Sequence, residues 1–203
     1  TLPRDAVYLA FADLETFYGV PLPSVRGDEN VRFPVEHGLL VSEWYRSRVI
    51  PYVEPRVDVT GLPHPFNTPL YVSECYKAGL MVASTNSNLF EGQGVSPQLR
   101  GMVWVGHPSI TERFGPESVT AALALCPWIA KLDALPEEGH EVSRELRFAI
   151  FGRAFNGAYE YFNRLGMRDA AQLSLNLARS ISDARNPQEW NSQCAQLAGM
   201  WKK

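Results

Sequence analysis

Apolar residues recur at three- and four-residue spacing in the C-terminal part of the chain, which is the period of a helix with one buried face. The clearest stripe consists of Ala170, Leu173, Leu177, Ile181 and Ala184. The next segment opens with Asn186 and Pro187, an N-cap residue followed by a proline at the first helical position. The pattern therefore predicts one helix over about 168–184 and a last helix from 187 to about 201.

The stretch from Glu141 to Leu165 contains the densest run of aromatic residues in the chain. On a helical wheel these residues fall in one broad apolar arc that includes Phe148, Phe151, Phe155, Tyr159 and Phe162. Gly166 follows, and glycine is suited to the position just after the end of a helix. Because so wide an apolar arc is typical of a helix that is buried on most sides, the stretch predicts the central core helix.

Four further segments carry helical patterns. They are 5–18, 34–49, about four turns starting at Thr68, and 116–135 with a kink or restart at Pro127. In the second of these, the spacing places Leu39, Leu40, Trp44 and Val49 inward. These segments add helices on the N-terminal side of the predicted central helix.

Two stretches between these helices are rich in loop-forming residues: prolines over 51–69, and Asn, Ser and Gly over 84–108. Only Met102–Val105 has the pattern of a short strand. We therefore expect an all-α fold, a single compact domain over 1–203 with about six to eight helices and at most a short β-hairpin. Its helical N-terminal part is 1–83, its loop region 84–115 and its helical C-terminal part 116–203.

Composition supports a folded domain with a sizeable core. The chain has 203 residues, is 45% hydrophobic and has a formal net charge of −3. This net charge predicts no strong overall attraction to nucleic acid or to an anionic membrane. The basic residues are 15 Arg and 4 Lys, and Arg makes planar, bidentate contacts with carboxylates and phosphates that Lys cannot make. The arginine bias therefore favours an interface or a phosphate-binding surface.

Cysteine usage and hydropathy give expectations about location. The three cysteines, Cys75, Cys126 and Cys194, have no paired spacing, so we expect buried free thiols and a reducing compartment. No signal peptide is visible, and no apolar run reaches the roughly 18 residues of a membrane span. We therefore expect an intracellular, cytoplasmic or virion location and no membrane partner. The chain begins at Thr1, which indicates a processed product or a piece of a longer protein.

No catalytic or metal-binding motif stands out. The four histidines, His37, His64, His107 and His140, lack a second His or Cys at metal-ligand spacing. The nucleophile-elbow, phosphate-loop and dinucleotide fingerprints are absent from the sequence. We predict no catalytic residue, no metal site and no cofactor. An enzyme whose site assembles from distant residues stays an alternative.

Six arginines between positions 144 and 179 are the candidate binding residues. They are Arg144, Arg147, Arg153, Arg164, Arg168 and Arg179. Their clustering on two successive predicted helices, in a chain of negative net charge, predicts a groove for nucleic acid. The wheel places Arg153, Arg164 and Arg168 together, so this subset is the favoured one. The alternative is a solvated surface on which these arginines pair with Glu160, Asp169 and Asp183.

The function that these features favour is that of a structural protein. Arginine bias, long loops that suit reaching arms, and a helical body together predict a viral-type coat or nucleocapsid subunit. Such a subunit self-associates and binds single-stranded nucleic acid along its phosphate backbone. A helical adaptor or scaffold domain that binds another protein is the first alternative, and an enzyme is the second.

Overall fold

The computed structural model describes residues 6–10, 34–59, 68–132, 151–181 and 187–202, without the side chains of 128, 130–132 and 187. The chain divides into two compact units. We call residues 2–98 and 103–113 the sheet unit, and residues 99–102 and 114–203 the helical unit. The prediction of a single domain stays a prediction.

The described residues contain a five-stranded mixed sheet with strand order β2-β1-β3-β5-β4. Strand β1 lies between two parallel neighbours, with Leu9 in register with Val35 of β2 and with Ser84 of β3. Strand β5 runs antiparallel to β3. The strands are β1 (Ala6–Ala10), β2 (Val35–Glu36), β3 (Met81–Ser84), β4 (Gln98–Arg100) and β5 (Val103–Gly106).

The prediction of an all-α fold was therefore wrong, and the fold is α/β. The main error lies in 5–18, of which Ala6–Ala10 is a strand and the remainder lies outside the described residues. Four of the five residues of β1 are buried, because the strand has parallel neighbours on both sides and apolar packing on both faces. Such a strand is an unbroken apolar run, which its periodicity does not distinguish from a buried helix.

The described residues also contain six α-helices: α1 (Ile50–Val53), α2 (Thr68–Lys77), α3 (Pro116–Leu132), α4 (Arg153–Arg164), α5 (Arg168–Ser180) and α6 (Pro187–Trp201). Helices α3 to α6 lie within the segments whose patterns predicted helices. Helix α3 continues through Pro127, where a kink or restart was expected. Helix α2 is shorter than the predicted four turns, because Met81 already belongs to β3.

The segment 34–49 does not form the predicted α-helix. It consists of β2, a 3-10 helix over His37–Val41 and a π-helical turn over Tyr45–Val49. Buried Arg46 stabilises this path, since its Nη1 donates to the carbonyls of Leu40 at 2.8 Å and Val41 at 2.9 Å. Leu40 is buried as predicted, whereas Leu39 and Trp44 are exposed. The helical wheel was wrong here because the backbone does not keep the α-helical period.

Aromatic packing fills the core of the helical unit. Phe155 and Phe162 of α4 are fully buried, and the ring of Trp190 from α6 meets Phe155 edge-on at 5.4 Å. Trp190 also donates its Nε1–H to the carbonyl of Cys126 at 3.2 Å, so this large ring has a satisfied polar atom. Helix α4 is thus a core helix over its described part, and the positions 141–150 predicted to precede it lie outside the described residues.

The cysteines differ from the expectation of three free thiols. Cys126 of α3 and Cys194 of α6 form a disulfide with a Cα–Cα distance of 6.2 Å. Cys75 of α2 is the free cysteine, and burial raises the pKa of its thiol to about 12. The spacing of the cysteines could not indicate this pair, since its members are 68 positions apart and meet only when α3 packs against α6.

Replacing Phe155 tests the core. Because its side chain is fully buried against Trp190, Phe155→Ala should lower the free energy of unfolding by roughly 3–5 kcal/mol. Urea denaturation followed by circular dichroism measures the change. The neighbouring exposed Asn156→Ala is the control and should leave the midpoint nearly unchanged. An unchanged midpoint for Phe155→Ala would mean that α4 is peripheral.

Removing the disulfide tests the tie between α3 and α6. It closes a loop across a separation of 68 residues, and the chain-entropy relation gives about 4 kcal/mol for such a loop. We expect Cys126→Ser/Cys194→Ser to lose up to that free energy of unfolding, and a reductant to have no further effect on the variant. Three titratable thiols in denatured, unreduced protein would contradict the disulfide.

Candidate functional site

The turn between α4 and α5 presents two of the predicted arginines at one place. Gly166 adopts a left-handed backbone with φ of 73°, which ends α4. The amide of Met167 donates to the carbonyl of Phe162 at 3.0 Å, and that of Gly166 donates to Asn163 at 3.1 Å. These two bonds are the pattern of a Schellman motif, so the turn has a defined geometry. Arg164 lies directly before this turn and Arg168 directly after it.

We call Tyr161, Arg164, Leu165, Arg168 and Trp201 the hairpin tip. The guanidinium of Arg164 lies 5.5 Å from the ring centroid of Tyr161, a cation–π contact. The same ring meets Trp201 of α6 edge-on at 5.8 Å. Leu165, Arg164 and Arg168 are all exposed, and Arg164 lies over a half-buried aromatic ring.

The two arginines of the hairpin tip lie at opposite kinds of helix end, one C-terminal and one N-terminal. Arg164 lies in the last turn of α4, where a positive charge stabilises the helix dipole. Arg168 is the first residue of α5, where a positive charge faces the positive end of the dipole. Helix stability therefore explains the position of Arg164 but not that of Arg168. Asp169 in the same turn has the sign that the dipole favours.

The other predicted arginines lie elsewhere. Arg153 and Arg179 are each eleven positions from the tip arginine of their own helix, or about 16 Å along the axis. Arg153 is half-buried and its Nη1 donates to the carbonyl of Met102 at 3.5 Å, whereas Arg179 is exposed. Arg144 and Arg147 lie outside the described residues. Of the favoured subset, the turn brings Arg164 and Arg168 together and leaves Arg153 at the far end of α4.

A second candidate place is the carboxyl edge of the parallel strands in the sheet unit. The chain passes from β1 to β2 on one side, and then to β3 on the other side of β1. In α/β sheets, ligands bind outside the carboxyl ends of strands where the strand order reverses in this way. The sequence patterns did not reveal this edge, because they predicted helices over β1, β2 and the start of β3.

Polar groups occupy this edge, and most of them support the backbone. Ser84 is fully buried, and its Oγ accepts from the amide of Asn86 at 3.2 Å. Glu36 accepts from the amide of Gly38 at 3.1 Å, and His37 Nδ1 lies 3.5 Å from the hydroxyl of Thr68. Glu36 pairs with Ala10 whereas Ser84 pairs with Leu9, so their side chains point to opposite faces of the sheet. They therefore do not form a carboxylate–hydroxyl pair.

Among the described residues, the titratable groups with perturbed pKa values lie in the sheet unit. Burial raises the pKa of the phenols of Tyr45, Tyr71 and Tyr76 and of the Cys75 thiol, so all four are neutral at physiological pH. Buried Glu54 accepts from Arg56 Nε at 2.7 Å and Nη2 at 2.8 Å, a bidentate ion pair. Such buried groups support packing, and none of these shifts creates a base active near neutral pH.

In the ranges that the structure describes, no group of three or more His, Cys, Asp or Glu side chains is placed to hold a metal ion. Among the helices of those same ranges, none combines the length and the apolar character needed to cross a bilayer.

Comparison with known proteins does not place the chain in a family. No family model matches it, and neither the curated proteins nor the solved structures include a match. The sites described above are therefore defined by their own chemistry alone.

Proposed function

We propose that the chain is a non-enzymatic assembly subunit that binds single-stranded nucleic acid through the hairpin tip. The observation that supports this is the position of Arg168, an exposed guanidinium at the unfavourable end of a helix dipole. It lies one Schellman turn from exposed Arg164. Two guanidinium groups on one turn can each bind a phosphate of the same strand in bidentate fashion.

The neighbouring rings and the turn give the hairpin tip a defined shape. Tyr161 lies beneath Arg164, so part of the conformational entropy of that long side chain is lost before binding. Exposed Leu165 offers an apolar surface beside the cations, against which an unstacked base can pack. Phosphate contacts with a small apolar platform favour single strands, whose bases are accessible, over duplexes.

The proposal includes self-association and a virion or intracellular location, as expected of a coat or nucleocapsid subunit. Because Cys126 and Cys194 form a disulfide, the cysteines do not favour a reducing compartment, as three free thiols would. Disulfides persist on virion and cell surfaces and are rare in the cytosol. Within the proposal, the disulfide therefore favours the virion over the cytoplasm.

Binding of a labelled oligouridine tests the hairpin tip. We expect Arg164→Ala/Arg168→Ala to weaken binding and to reduce the steepness of the log affinity–log salt plot by about 1.4, because each single-strand phosphate contact contributes about 0.7. Fluorescence anisotropy at several salt concentrations measures both quantities.

The matched control is Arg153→Ala, which removes one arginine from the far end of α4. Since its guanidinium bonds to the Met102 carbonyl, we expect little change in the salt dependence. Equal affinity and equal salt slope for the double variant and the parent would refute the nucleic-acid proposal. The adaptor interpretation, in which these arginines form a solvated or protein-binding surface, would then lead.

For the enzyme alternative, the candidate place is the carboxyl edge of the parallel strands. The reversal of strand order favours a small-molecule site there. A thermal-shift screen with phosphorylated and carboxylated metabolites tests it. A ligand of this edge should stabilise the parent and the Arg164→Ala variant, and should lose its effect in His37→Ala. A stabilising ligand that is insensitive to His37→Ala would argue against this edge.

A further inference from the structure

Exposed large hydrophobic side chains concentrate in one short stretch of the sheet unit. Of five such residues in the described parts of the chain, four lie between positions 39 and 52, and the fifth is Leu165 of the hairpin tip. The four are Leu39, Val41, Trp44 and Tyr52. Trp44 is 55% exposed and Tyr52 is 81% exposed. Single exposed apolar residues need no explanation, but a group of them with two aromatic members indicates an interaction surface.

The π-helical turn brings the two aromatic residues onto one face. Trp44 and Tyr52 are eight positions apart and flank the turn over Tyr45–Val49. In a regular α-helix, eight positions leave an angle of about 80° between side chains. The π turn accommodates one additional residue, so the two side chains are related as if seven positions apart, within about 20°. We call this face, together with the exposed Leu39 and Val41 of the preceding 3-10 helix, the aromatic strip.

The backbone beneath the aromatic strip is fixed by buried polar contacts. Arg46 donates to the carbonyls at the end of the 3-10 helix, and the hydroxyl of Tyr45 accepts from the amide of Glu36 at 2.9 Å. Tyr45, Arg46 and Ile50 point inward and are buried. The outward direction of Trp44 and Tyr52 is therefore a consequence of the fold, since the inward positions of this segment are already filled.

The charges on the aromatic strip are opposite in sign. Glu43 precedes Trp44, Arg48 lies between Trp44 and Tyr52, and both charged side chains are exposed. Neither forms an ion pair with another residue in the described parts of the chain. A neutral pair of charges disfavours a polyanion, because the Glu43 carboxylate repels phosphate. One charge of each sign also allows self-complementary pairing, since a two-fold axis can bring Glu43 of each copy to Arg48 of the other.

The exposed area also suits a second copy. With fully buried aromatic side chains contributing about 150–250 Å² each, the four apolar residues at their present exposure offer roughly 400 Å². A standard interface buries about 800 Å² on each partner, with an apolar centre and a polar rim. The aromatic strip therefore supplies about half of such an area, and the exposed Glu43 and Arg48 side chains adjoin it in the chain.

We propose that two copies of this chain associate through the aromatic strip about a two-fold axis, with the aromatic side chains packed against each other and reciprocal Glu43–Arg48 pairs beside them. This deepens the self-association included in the proposed function by naming its surface and symmetry. It does not depend on nucleic-acid binding, which the hairpin tip would mediate.

Sedimentation equilibrium of the full chain, without nucleic acid, tests the dimer. We expect the parent to show a concentration-dependent monomer–dimer equilibrium. Tyr52→Ser should raise the dimer dissociation constant about thirtyfold, the effect of losing an aromatic hot spot. Tyr52 is mostly exposed, so circular dichroism should show an unchanged fold. Leu165→Ala removes the exposed apolar residue outside the strip and should leave the dissociation constant unchanged.

A charge exchange tests the symmetry. Glu43→Arg and Arg48→Glu should each weaken the dimer about tenfold by placing like charges opposite each other, and the double exchange should restore it. A parent that stays monomeric at the highest concentration, or a Tyr52→Ser variant that dimerises like the parent, would overturn the proposal. So would oligouridine binding that is lost in Trp44→Ala, which would assign the strip to nucleic acid. Unchanged oligouridine binding in Arg164→Ala/Arg168→Ala, together with a dimeric parent, would contradict the proposed nucleic-acid binding and support the dimer.

Discussion

Hydrogen bonding of β1 to parallel strands on both sides is the constraint on which the sheet unit depends. Leu9 is in register with Val35 on one side and with Ser84 on the other. Since parallel neighbours cannot be joined by a tight turn, long connections must carry the chain from β1 to β2 and from β2 to β3. The connection from β2 to β3 includes the 3-10 helix, the π turn, α1 and α2. The aromatic strip and the polar carboxyl edge thus both result from this one pairing.

The helical unit depends on a different interaction, the packing of aromatic rings around α4. Phe155 contacts Trp190, and Phe162 meets Trp201 edge-on at 6.0 Å, so two residues of α4 hold the two ends of α6. The disulfide joins α6 to α3 at Cys126, whose carbonyl also accepts from Trp190. With its apolar face filled in this way, α4 places Arg164 in its last turn outward, and Gly166 directs the chain into α5.

The two proposed surfaces differ in chemistry in a way that suits different partners. The hairpin tip has two exposed arginines, and the guanidinium of one of them, Arg164, lies over the half-buried ring of Tyr161. The aromatic strip has two exposed rings and one charge of each sign. The hairpin tip attracts phosphate, whereas the aromatic strip has no net charge to attract it. The aromatic strip is instead complementary to the same surface on a second copy of the chain. A protein that both self-associates and binds single-stranded nucleic acid needs surfaces of these two kinds.

Local interactions made α3 to α6 predictable from sequence. The stripe of Ala170, Leu177 and Ile181, the proline at 187 and the helix-ending Gly166 each act within a few residues. The candidate arginines could be named in the same way, and the hairpin tip joins two of them because only a three-residue turn separates α4 from α5.

Tertiary structure alone decided β1 to β4, the disulfide and the face that Trp44 occupies, whereas the short strand expected over Met102–Val105 corresponds to β5. The apolar run of β1 becomes a strand because β2 and β3 supply hydrogen-bonding partners that are distant in sequence. Cys126 and Cys194 meet only when α3 packs against α6. Trp44 is exposed because a π turn, held by the buried Arg46 side chain, changes the phase that an α-helical wheel assumes. The sequence by itself determined the elements that are stabilised by interactions between residues close together in the chain. The fold decided the other features, because their contacts join residues that are far apart in sequence.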